Sequence, residues 1–183
     1  MSTKYRFIED RFPHFITLTL VEWIDLFSRE RYKEIIIKNL EYCIKEKGLI
    51  IHSYVIMSNH LHLIVNVSRE TEISTLIQNF KRYTAKVLYD TLKSDSRESR
   101  RNWMLWIMES QGKKSSSNIN YKVWIHENHP VILDSNFILE QKINYIHENP
   151  VRAGICYTME DYKYSSARQY AGEAGLPDIV CIE

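Results

Sequence analysis

His60 and His62 lie two residues apart in the run "VIMSNHLHLIVNV", which is otherwise almost wholly apolar. In an extended strand, residues i and i+2 project from one face, so both imidazoles stand side by side while Leu61 points away. Neighbouring imidazoles can ligate one divalent cation. Two histidines are an incomplete cage, so a third donor must come from elsewhere in the chain. If oxygen donors and water complete the shell, the ion is Mg²⁺ or Mn²⁺, and Mn²⁺ is the better match to imidazole nitrogen. The plainer alternative is that either ring simply hydrogen-bonds at a sheet surface.

Tyr145, in "INYIHENP", is the second residue of interest. Helical spacing puts Ile138, Gln141, Lys142, Tyr145 and Asn149 near one stripe, with Ile143 and Ile146 off it to dock the helix. A free tyrosine has a pKa of about 10, so roughly one in a thousand is phenolate at pH 7. It attacks a phosphodiester usefully only when the phosphate is polarised, which a cation on a non-bridging oxygen does. Two histidines, a cation and a tyrosine are thus a minimal apparatus for breaking a DNA strand through a covalent phosphotyrosine. That link retains the bond energy, so rejoining needs no nucleotide, in keeping with the lack of a P-loop in the sequence. Because the chain has 12 tyrosines, the competing role for any one of them is packing.

These residues need elements to hold them. Residues 14–23 read as a strand, rich in β-branched and aromatic side chains. A helix follows, with Ile35, Leu40, Cys43 and Ile44 near helical spacing and Gly48 at its end. Residues 49–58 and 60–67 are two strands joined tightly through Ser58 and Asn59. Residues 72–92 form a helix whose inner face carries Ile73, Leu76, Ile77, Phe80, Val87 and Leu88. "RRNWMLWIME" is a short helix, and 121–133 a strand broken by a turn at "ENHP". The tyrosine helix starts at Ser135 or Asn136 and is ended by Pro150. The tail holds one short helix in "YSSARQYAG". Strand-helix-strand-strand-helix-strand is the ferredoxin-like, split βαβ order of an α+β fold, with helices on one face and a C-terminal helix bearing the tyrosine. Residues 1–183 read as a single domain, with polar insertions near 93–102 and 111–120, the latter a mobile loop.

Composition narrows the class. The formal net charge of +1 argues against binding nucleic acid by bulk charge, though not against a local basic patch. The three cysteines, Cys43, Cys156 and Cys181, form no CxxC pair, which argues against a cysteine zinc site and suits a reducing cytosol. No signal-peptide pattern or membrane-length apolar run occurs, so a cytoplasmic protein, nucleoid-associated when bound to DNA, is expected.

"YVIMSNHLHLIV" together with "KINYIHENPVRAG" and "YSSARQY" resembles the single-tyrosine transposases of the His-hydrophobic-His superfamily. The REP-associated tyrosine transposases and their insertion-sequence relatives are the branch most resembled, over about residues 5 to 172. The resemblance implies that His60 and His62 bind the metal, that Tyr145 is the nucleophile and that Asn149 is a third, amide ligand. Glu148 competes with Asn149 for that place, because a residue before proline is pushed from the α region. It implies a ferredoxin-like sheet and cleavage and rejoining of single-stranded DNA near hairpins, with a 5′-phosphotyrosine and a free 3′ hydroxyl. It leaves open a monomer or a homodimer that exchanges tyrosine helices.

Lys81, Arg82, Arg152 and Arg168 are candidate phosphate contacts. Trp103, Trp106 and Trp124 are either core residues or platforms for unpaired bases. Two other functions compete with the transposase reading. One is a non-catalytic, sequence- or hairpin-specific DNA-binding protein derived from a transposase. The other is a metallohydrolase that uses water, in which Tyr145 would be dispensable.

Overall fold

In the computed structural model, residues 12–68, 72–115 and 120–182 are described. The strands are β1 (His14–Thr19), β2 (Leu49–Ile56), β3 (His60–Val67) and β4 (Val131–Ile132). The helices are α1 (Glu30–Lys47), α2 (Ile73–Ser94), α3 (Arg101–Lys113), α4 (Asn136–Arg152) and the short α5 (Ala167–Tyr170). The sheet order is β2-β3-β1-β4, and every neighbouring pair is antiparallel. That is the split βαβ order expected from the sequence.

Register explains the two faces. Ile16 and Leu18 pair with Leu63 and Leu61, and all four are fully buried. Phe15 and Thr17 pair with Ile64 and His62, so these side chains share the opposite face. The helices α1 and α2 pack on each other and cover the first face, which is mainly aliphatic but also carries His14 and Tyr54. The helix α4 crosses the other face, contacting β2 and β3.

Several boundaries differ from the sequence expectation. The strand expected over 14–23 stops at Thr19, and the chain turns tightly at Val21–Trp23, with Glu22 and Trp23 left-handed. The inner face of α1 is Tyr32, Ile36, Ile37, Leu40 and Cys43, while Ile35 and Ile44 are only half-buried. Gly48, at φ 71°, ends α1 as expected, its N–H bonding Cys43 O. On α2, Val87 is half-buried, and Thr84, Tyr89 and Leu92 complete the inner face.

The expected strand over 121–133 reduces to β4. Upstream of it the chain follows β1 irregularly, through Val21 N–H to Val123 O, Ile125 N–H to Thr19 O and Thr17 N–H to Asn128 O. Positive φ at His129, followed by Pro130, breaks the ladder. Of the loop expected over 111–120, residues 111–113 continue α3, and 116–119 fall outside the described residues.

Pro150 does not end α4. The helix continues to Arg152, because a proline in the last turn forfeits a single N–H bond. Gly154 supplies the actual stop at φ 68°, with its N–H on Val151 O and that of Ile155 on Pro150 O. Asn149 therefore stays helical, one turn beyond Tyr145.

The polar 93–102 stretch is closely held rather than loose. Asp95 and Glu98 are both buried. Arg31 Nε lies 2.6 Å from Asp95, Arg100 Nε lies 3.0 Å from Glu98, and Tyr32 donates to Asp95 at 3.0 Å. Among the described residues no helix is long and apolar enough to cross a membrane.

Candidate active site

On the face that α4 crosses, His60 and His62 project together from β3, with ring centroids 4.7 Å apart; His62 is buried and His60 half-buried. Tyr145 comes down from α4 against His62, 5.3 Å between centroids. Ile143 and Ile146 are buried beneath the helix and seat it on the sheet. His147 locks that seat, since its Nε2 lies 2.8 Å from Ser166 Oγ and 3.2 Å from Ser53 Oγ. Its ring is buried in this cluster, on another side of the helix from Tyr145.

Both imidazoles are held in defined poses. Asn59 Oδ1 accepts from His60 Nδ1 at 2.6 Å, so the lone pair of that ring is on Nε2. Thr17 Oγ1 lies 2.9 Å from His62 Nδ1, directly across the β1–β3 ladder. Among the described residues neither Nε2 atom has a hydrogen-bond partner. Burial lowers the pKa of His60. Burial, His60 and Lys142 together push His62 down to about 3. Both rings are therefore neutral at pH 7, the state in which imidazole binds metal.

Phe15 stacks on His62 at 5.2 Å and meets Tyr145 edge-on at 6.0 Å, so the three rings form a triangle. Lys142 Nζ stands 4.7 Å from the Phe15 centroid and 5.6 Å from that of Tyr145. Tyr145 keeps about 36% of its surface exposed and opens onto a cleft of about 360 Å³. Gln141, Lys142, Asn144, Glu148 and Arg152 line that cleft with it.

The structure thus brings His60, His62 and Tyr145 together. Asn149 is half-buried on α4, and its amide forms no hydrogen bond among the described residues. Glu148, its competitor, is paired with Arg152. No group of three or more His, Cys, Asp or Glu side chains suited to a metal occurs among the described residues. Two imidazole nitrogens completed by oxygen donors and water would be a mixed set that Mn²⁺ accepts more readily than Mg²⁺ does.

The other candidates separate. Arg152 lines the Tyr145 cleft. Lys81 is turned inward and holds Ile125 O, His126 O and Asn128 Oδ1 at 2.6–2.9 Å, so its ammonium is committed to the 125–128 segment. Arg82 donates to Asn79 Oδ1 and lines a cleft between α1 and α2, away from the histidines. Arg168 pairs with Glu173 at 3.1 Å, in the tail that covers the edge of β2. Trp124 is buried and donates to Thr84 Oγ1, whereas Trp103 and Trp106 stand exposed on α3.

Sequence reasoning missed Thr17, Asn59, Phe15 and Trp23 as neighbours of the histidines. Thr17 and Phe15 become visible only with the β1–β3 register. Asn59 carried a local signal, being the turn residue adjacent to His60.

A solved structure of a REP-associated tyrosine transposase bound to a REP hairpin superposes on the whole chain, covering 100% of it and 96% of that protein. The TM-score is 0.64 at 14% sequence identity, which is a likeness of fold. No curated protein sequence matches the chain. The model of the IS200-like transposases matches residues 14–121, from the start of β1 to beyond α3 and across both histidines. That span is more than half of the sequence, and the chain belongs to the IS200-like transposase family.

Proposed function

We propose that the protein cleaves and rejoins single-stranded DNA beside a hairpin, with Tyr145 as nucleophile and a divalent ion, Mg²⁺ or Mn²⁺, held by His60, His62 and Asn149. The observation that carries this reading is the contact of a part-exposed Tyr145 with His62, itself beside His60, both imidazoles being neutral and pre-oriented, His62 buried under α4 and His60 half-buried. Membership of a transposase family supports a DNA substrate. The hairpin bound to the fold relative supports a hairpin-bearing one.

The ion, when bound, polarises the scissile phosphate and offsets the charge that builds on it. The residues of the chain do the rest. Tyr145 Oη attacks phosphorus as the bond from phosphorus to O3′ breaks. The phenolic proton passes to water, and O3′ takes one back from water. The products are a 5′-phosphotyrosine and a free 3′ hydroxyl, and the reverse attack rejoins the strand. Lys142 forms no ion pair with a carboxylate among the described residues, so its charge is available to the incoming phosphate. Arg152 adds a second cation, shared with Glu148.

The test is a pool of hairpin oligonucleotides with randomised single-stranded flanks, incubated with protein and Mn²⁺ and run on a denaturing gel. The wild type should give a covalent protein–DNA band. Tyr145→Phe should abolish the band while DNA binding changes by less than about threefold, a limit set by keeping all but one phenolic contact. Excess chelator should also abolish it. A band that survives in Tyr145→Phe refutes the nucleophile. Binding with no band from the wild type would favour the non-catalytic DNA-binding reading.

A further inference from the structure

Trp23 is the residue that this chemistry leaves unexplained. It follows Glu22 in a tight turn after β1, and both take left-handed backbone conformations, with φ of 50° and 54°. Neither is glycine, so each pays a steric cost that the surroundings must impose. The surroundings do so from several sides. Val21 N–H bonds Val123 O at 2.9 Å, and Leu20 N–H bonds Asn59 O at 2.9 Å. Gln111 from α3 donates to Glu22. Asn59 Nδ2 donates to Trp23 O at 3.4 Å, while its Oδ1 accepts from His60.

All this restraint presents an indole to solvent. Trp23 is 61% exposed, yet its ring lies only 6.1 Å from that of His60, edge to face. Successive ring contacts link Trp23, His60, His62 and Tyr145 in one row, whose ends Trp23 and Tyr145 are exposed while His62 is buried between them. A large apolar ring held in a strained turn, mostly in water and beside a polar site, gains little from folding. It gains if a flat apolar surface covers it when the site fills.

We propose that Trp23 is the stacking platform for an unpaired nucleobase of the DNA strand whose phosphate lies at the histidine pair. The assignment rests on the strand-cleavage reading, because that reading places a single strand along this row. An unpaired base has a π-face of matching size and stacks on aromatic side chains with little regard to sequence. Asn59 bridges the Trp23 backbone carbonyl and His60, so the turn that carries the platform and the ring beside the phosphate are registered by a single amide. Trp23 thereby fixes which phosphate of a flexible strand stops at Tyr145.

The experiment measures equilibrium binding in the presence of chelator, so that no cleavage is needed. The probe is a hairpin oligonucleotide recovered from the randomised-flank pool, with an abasic site scanned through its flank. Trp23→Ala should weaken binding about tenfold, and Trp23→Phe only about threefold, in line with the loss of one stacked base. In the wild type, one abasic position should weaken binding by a similar factor. In Trp23→Ala that same position should have no further effect. An unchanged melting temperature of Trp23→Ala shows that the loss is not unfolding.

Equal binding by wild type and Trp23→Ala would overturn the proposal. So would losses that simply multiply at every abasic position, or a wild-type dimer that Trp23→Ala dissociates, since a second copy would then be what covers the indole. A wild type that binds with this pattern but forms no covalent band would refute Tyr145 as nucleophile and leave Trp23 as a base platform.

Discussion

Thr17 is the side chain that holds the ring of His62. Its hydroxyl meets Nδ1 of His62 across the β1–β3 ladder. If His62 is to offer Nε2 to a cation, Nδ1 must carry the proton and donate it to Thr17 Oγ1. Partners of this kind fix the tautomer and ring pose, and losing one typically costs about 10–100-fold in metal affinity. Thr17→Val should therefore weaken Mn²⁺ binding by about 10-fold or more, while Thr17→Ser keeps most of it. Calorimetry on the two variants decides this, and equal affinities would remove Thr17 from the site. The two histidines were legible because a period of two is visible in any strand. Thr17 was not, because nothing within β1 reveals which residue of β3 lies opposite. Trp23 was hidden for a related reason: a left-handed turn without glycine leaves no mark in composition.

At the scale of elements, the joint between α1, α2 and α3 is electrostatic. Glu98 is buried against Arg29, Arg31 and Arg100. Arg100, first among these contacts, holds the Glu98 carboxyl down at about 2. A carboxylate lowered on folding contributes stability that is complete above its unfolded pKa of about 4.3 and disappears as pH falls through the folded value. Thermal unfolding followed from pH 6 to pH 2 should show the melting temperature dropping between about pH 4.5 and pH 2. Glu98→Gln should lower stability at pH 7 by about 1.5–3 kcal/mol and flatten that drop. An unaltered pH slope in the variant would show that the cluster is not the cause. The sequence reads this stretch as an insertion because charge alone looks solvated, and only the fold brings its arginine partners together. The helix α4 carries the opposite lesson. Pro150 looks like a terminator, but the stop is set three residues beyond the proline's own neighbour Val151, at Gly154, the residue that tolerates a positive φ.

Over the whole molecule, the order of elements and the stripe bearing Tyr145 follow from periodicity, whereas the late strand does not. Only Val131 and Ile132 pair regularly, and the preceding segment is pinned by Lys81, a residue whose charge suggested a surface role. Burial shows that the pin belongs to the scaffold. The basic residues singled out in the sequence are dispersed: Arg152 lines the tyrosine cleft, Arg82 the opposite side of the sheet and Arg168 the far edge.

The seat of α4 on its own sheet has a consequence for how molecules share labour. Ile143, Ile146 and His147 bind the helix to strands of the same polypeptide, and the phenol arrives beside imidazoles encoded by that very chain. Two crippled forms, one with Tyr145→Phe and one with His60→Ala and His62→Ala, should stay inert when combined, since neither can lend what the other lacks. Any covalent product from the mixture would mean that partners trade helices after all.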